Sequence, residues 1–78
     1  MFSRYTDLVR ARRVNTKIER SGGVLARQRG SHQLYRVVAA DGTTAQTIVP
    51  QHTGDIPVGT LRAIERDLAP VLGERWLR

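Results

Sequence analysis

His32 and His52 are the side chains of this sequence best suited to moving a proton near neutral pH, because unperturbed imidazole titrates in that range. Thiol chemistry is closed, since the chain has no cysteine. The same fact excludes a disulfide framework and cysteine-ligated zinc or iron–sulfur sites. The serines are Ser3, Ser21 and Ser31, and only Ser31 adjoins a histidine. Consecutive strand residues point to opposite faces, which argues against a Ser31–His32 nucleophile–base pair. His32, His52, Asp41 and Asp55 show no metal-ligand spacing such as HxxxH or DxD, so no metal and no cofactor is expected. What remains is acid–base chemistry by histidine on an anionic substrate.

His32 closes the run Arg27-Gln28-Arg29-Gly30-Ser31-His32. Glycine lets a backbone approach closely and leaves amides free to face an anion, and guanidinium forks match phosphate oxygens. Attack of a ribose 2′-hydroxyl on its own phosphodiester needs a base, an acid and charge stabilisation, with no protein nucleophile. His32, Arg27, Arg29, Arg36 and the Gly30-Ser31 amides are the residues expected to supply those parts. A histidine at a turn is also an ordinary surface residue, and that reading stands beside the catalytic one. His52, in the polar loop before Asp55, reads as a second acid–base group, a phosphate ligand or a plain loop residue. Tyr35 reads either as a base-stacking ring or as a half-buried strand residue.

Charge agrees with an anionic partner. The 78 residues carry 13 basic and 7 acidic groups, a net charge of +6. Residues 1–36 hold nine of the basic groups and two of the acids, and twelve of the 13 are Arg. This favours RNA or DNA as partner, against the alternative of a merely solvated basic surface.

The elements that must position these residues follow from periodicity. At this length one domain is expected, spanning residues 1–78. Tyr5, Leu8, Ala11, Val14 and Ile18 recur at helical spacing, predicting a helix over roughly 3–20 with Ser3 as its cap and Gly22 as its stop; Asn15-Thr16 threaten to break it. Val24–Gln28, His32–Val38 and Thr44–Val49 read as strands. Gly30-Ser31 and Asp41-Gly42 read as hairpin turns, the second with positive φ at both Asp41 and Gly42. A second helix follows Asp55-Ile56-Pro57, with Asp55 as N-cap and Leu61, Ile64, Leu68 and Leu72 as its apolar stripe; Pro70 should kink or end it near Leu68. Trp76 and Leu77 are expected to fold back on the core or meet a partner. The order is α-β-β-β-α, an α+β fold. It implies a three-stranded antiparallel sheet with both helices on one face, the double-stranded-RNA-binding-domain-like architecture. No apolar run approaches the ~20 residues of a membrane span, and Met1–Tyr5 begins no apolar leader, so the chain is expected to be soluble and cytoplasmic.

Residues Ile18 to Arg36, with the Arg-Gln-Arg-Gly-Ser-His turn and the Tyr that follows it, resemble the HicA family of toxins. So does the later pattern of Val49-Pro50, His52, Asp55-Ile56-Pro57 and Gly59-Thr60-Leu61-Arg62-Ala63-Ile64. The resemblance covers about residues 14–69, leaving 1–13 as an N-terminal and 70–78 as a C-terminal extension. It implies a metal-independent mRNA interferase of a toxin–antitoxin module, with the same fold. The family's catalytic histidine falls on His32 and its preceding glycine on Gly30. The implied partners are mRNA and a HicB-type antitoxin that covers the active site. A homo-oligomer and a toxin–antitoxin hetero-oligomer both stay open. Asn15-Thr16 depart from the family's apolar, helix-forming pattern. The rival reading is a non-catalytic RNA- or DNA-binding domain on the same fold; a weaker one is a module whose basic face docks an acidic protein.

Overall fold

The computed structural model describes residues 9–51 and 54–78, in the order α1 (Ala11–Arg20), β1 (Val24–Arg29), β2 (His32–Val38), β3 (Thr44–Pro50) and α2 (Val58–Leu72). The strands form an antiparallel meander, β1-β2-β3. Strand alternation sorts the side chains. Tyr35 and Val37 of β2 and Thr47 and Val49 of β3 are buried, against the α1 residues Val14 and Ile18 and the α2 residues Leu61, Ile64 and Leu68. His32, Arg36 and Val38 of β2 and Thr44, Gln46 and Ile48 of β3 are exposed on the opposite face. The α+β class, the strand order and the single uncovered sheet face are as the sequence implies.

α1 starts later than the periodicity suggests. Its cap is Arg10, with no side-chain hydrogen bond. The entry is fixed instead by a backbone bridge of Arg10 with Asp55 and by the Ile56 N–H donating to the Val9 carbonyl at 2.8 Å. Ser3, Tyr5 and Leu8, assigned to this helix from sequence, lie outside the described residues. Asn15 and Thr16 do not break it. The Thr16 hydroxyl donates back to the Arg12 carbonyl at 2.9 Å, and the Asn15 amide finds partners across the fold. The helix ends in a Schellman motif, with the Gly22 N–H on Glu19 O and the Gly23 N–H on Ile18 O.

Gly23 is there for space. A Cβ at that position would collide with Ile18 Cγ2, lie 2.9 Å from the Ile18 carbonyl oxygen and 3.1 Å from Val37 Cγ1. Backbone cannot yield as a flexible side chain does. Gly23→Ala is expected to cost about 1–3 kcal/mol, as overpacking does, lowering the thermal midpoint by on the order of 10 °C by circular dichroism. An unchanged midpoint would contradict this packing.

The two hairpins differ. Arg29 pairs with His32 around Gly30-Ser31. Gly30 has φ +58° and Ser31 does not have positive φ, the pattern of a two-residue type II′ turn, which favours glycine first. Asp41-Gly42 makes a wider turn than expected. The Ala39 N–H donates to Thr43 O at 2.7 Å and the Gly42 N–H to Ala39 O at 2.9 Å, enclosing residues 40–42. Only Gly42 has positive φ there. Asp41 acts by its side chain, accepting from the Thr43 N–H at 2.9 Å, a bond that holds its carboxyl below the usual value.

α2 departs from expectation at both ends. Its N-cap is Pro57, not Asp55, because the Asp55 backbone is committed to the bridge with Arg10. Pro70 neither ends nor divides it; the helix runs on to Leu72. A proline so near the last turn costs a single backbone bond, and the Gly73 N–H still reaches Ala69 O at 2.8 Å. The tail then folds back. The Trp76 indole N–H donates to the Glu65 carbonyl at 2.8 Å, and Leu77 is fully buried. The Glu65 carboxylate accepts from the Leu77 N–H and from Arg78 Nε, each at 3.2 Å. No helix among the described residues is long and apolar enough to cross a membrane.

Candidate active site

The site is built on the uncovered sheet face by the β1–β2 hairpin. Arg29 stands opposite His32, and Arg27 opposite Leu34. That register depends on an irregularity between Leu25 and Arg27, where one residue of β1 has no partner on β2. Such a bulge shifts the face assignment by one residue. Val24 opposes Arg36 and Arg27 opposes Leu34, so the positions on both sides of the bulge share the open face. Simple alternation would have parted Val24 from Arg27. The result is a shallow recess of about 370 Å³ lined by Arg27, Arg29, His32, Leu34 and Ile48.

Its chemistry is one-sided. Two guanidinium groups and an imidazole meet two aliphatic side chains, with no carboxylate among the described residues of the lining. An anion is favoured there, and the recess is open to solvent. Among the described residues no three His, Asp or Glu side chains form a group able to hold a metal ion.

Of the residues singled out from sequence, Arg27, Arg29 and His32 come together, with Gly30 and Ser31 forming the turn beside them. Arg36 shares the face but not the recess. It lies four residues beyond His32, about 13 Å along β2, and its guanidinium donates to Gln46 Oε1 at 3.3 Å. His52 lies outside the described residues. Leu34 and Ile48 escaped the sequence reading; alternation from His32 and the β2–β3 register, which pairs Leu34 with Ile48, point to both.

Tyr35 is not a stacking platform. It is 2% exposed and faces the helices. Its hydroxyl donates to Glu19 Oε2 at 3.0 Å and lies 3.2 Å from Gln33 Oε1. Burial first, then the hydrogen bond to Glu19 and its charge, push the phenol up to about 12. The folded state therefore favours the neutral phenol. This contribution is whole below the ordinary Tyr value of about 10 and is lost as pH rises towards 12, a loss of about 2 kcal/mol by that pH. In urea unfolding between pH 9 and 12, Tyr35→Phe should lose less stability than the unaltered protein by that amount. Equal losses would refute the assignment.

A small α+β domain with one uncovered, arginine-lined sheet face carrying a histidine is a candidate anion-processing domain. The family model described as HicA toxin of bacterial toxin–antitoxin matches residues 11–69, three-quarters of the chain. The chain belongs to the HicA toxin family. That membership implies an antitoxin as partner. No curated protein and no solved structure matches the chain.

Proposed function

We propose that this chain is a ribonuclease toxin that cuts mRNA at the recess of the uncovered sheet face, with His32 as its acid–base group. One observation supports this above others: the β1–β2 register puts His32, Arg27 and Arg29 into one anion-favouring recess, at the turn that carries the family resemblance. Arg27 and Arg29 hold the non-bridging oxygens of the scissile phosphate. The ribose 2′-oxygen attacks phosphorus, the bond from phosphorus to the 5′-oxygen breaks, and a 2′,3′-cyclic phosphate and a 5′-hydroxyl result. His32 either takes the 2′-hydroxyl proton or gives one to the departing 5′-oxygen. The Gly30-Ser31 backbone approaches the phosphate, Arg36 holds the strand further along, and His52 is a candidate second proton carrier. A HicB-type antitoxin neutralises the toxin by closing the recess, and the cytoplasm, where mRNA lies, is the site of action.

The test is incubation of purified protein with RNA, and with DNA of the same sequence, in excess chelator. The expected result is cut RNA and intact DNA. Salt-sensitive binding with no cleavage would replace this reading with that of a non-catalytic nucleic-acid-binding domain.

A further inference from the structure

We propose that Asn15 and Gln51 are positioning residues for His32: their reciprocal amide pair locks the Gly30-Ser31 turn to α1 and so fixes where the imidazole is presented. This rests on the nuclease reading above.

Gln51 is the junction. Its backbone N–H donates to the carbonyl of Ser31, the residue before His32. Its side chain accepts from Asn15 Nδ2 at 2.8 Å, and its Nε2 donates to Asn15 Oδ1 at 3.2 Å and to the Val49 carbonyl at 3.0 Å. Pro50, next to Gln51, is the strand partner of His32. On the other side of His32, Gln33 places Oε1 3.4 Å from Asn15 Nδ2. Both chain neighbours of His32, Ser31 and Gln33, are therefore tied to one amide pair anchored on the middle of α1.

The choice of residue is informative. Asn15 is a poor helix former in mid-helix, on the side of α1 that meets the sheet's polar end. A leucine there would serve helix propensity better but would leave Gln51 and Gln33 without this partner. Half-buried amides so paired prefer one geometry, because a lost bond leaves a desolvated group unpaired. Misplacing a catalytic group by about 1 Å can cost on the order of 10²-fold in rate, so a turn held by this clasp matters to cleavage more than to binding.

Asn15→Leu keeps the branched shape and removes the amide, and Gln51→Met does the same from the other side. For each, three quantities are compared with the unaltered protein: hydrogen exchange of the Gln51 amide, single-turnover cleavage at saturating RNA, and RNA affinity. The expectation is faster Gln51 exchange, cleavage slower by about tenfold and affinity unchanged. The double variant should be no slower than either single one, because each breaks the same clasp. A folded Asn15→Leu protein with normal exchange and normal cleavage overturns the proposal. So does a rate loss matched by an equal loss of affinity. Should Asn15→Leu not fold, Gln51→Met decides alone. If the unaltered protein cuts no RNA, the nuclease reading fails, and the exchange of the Gln51 amide still decides whether the clasp holds the turn.

Discussion

His32→Ala is expected to slow RNA cleavage by on the order of 10²–10⁴-fold, while RNA affinity and fold stay as they are in the unaltered protein. The direction follows from where His32 sits. It is exposed on the uncovered face, at the first position of β2, and is not a member of the buried core. Removing an exposed imidazole leaves no cavity, so circular dichroism and thermal midpoint should be unchanged. Affinity should survive because Arg27 and Arg29 remain in the recess. The loss should therefore fall on the single-turnover rate at saturating RNA rather than on the concentration needed to reach it. Cleavage persisting in His32→Ala would remove the acid–base assignment and leave the basic recess as a binding site alone.

The Arg27→Ala, Arg29→Ala double variant should lose RNA affinity by on the order of 10²–10⁴-fold, since charge-assisted bonds to phosphate contribute roughly 1.5–3 kcal/mol each. The more diagnostic readout is salt. Each phosphate contact on a single strand contributes about 0.7 to the slope of log affinity against log salt, so the double variant should flatten that slope by about 1.4. Arg36→Ala should flatten it by less, because the Arg36 guanidinium already donates to Gln46 and lies outside the recess. Weaker binding with an unchanged slope would mean that the arginines act through the shape of the hairpin rather than on phosphate.

What the sequence made legible was short-range. The strands, the Gly30 turn and the helical spacing of Ala11, Val14 and Ile18 and of Leu61, Ile64 and Leu68 are local signals, and these stand where their patterns put them. The grouping of Arg27, Arg29 and His32 was also readable, from a hairpin around Gly30-Ser31. The bulge after Leu25 was not, because nothing in Val24-Leu25-Ala26-Arg27 marks which residue loses its partner. Arg36 joined the site on charge; only the strand's rise sets it apart. The start of α2 was misread because the bridge between Arg10 and Asp55 links residues 45 apart, beyond any local capping rule. The Asn15–Gln51 clasp is of the same kind, joining residues 36 apart. In sequence Asn15 shows only as a helix-weakening residue, whereas in the fold it supports the turn that carries His32.

The proposed reaction is a ribose attacking its own phosphodiester at the His32 recess. A DNA oligonucleotide containing a single ribonucleotide, incubated in chelator with the unaltered protein and with His32→Ala, tests this most directly. The predicted result is one cut, 3′ to the ribonucleotide and leaving a cyclic phosphate, made by the unaltered protein only. Cleavage at deoxyribonucleotides, or equal cleavage by both proteins, would contradict it.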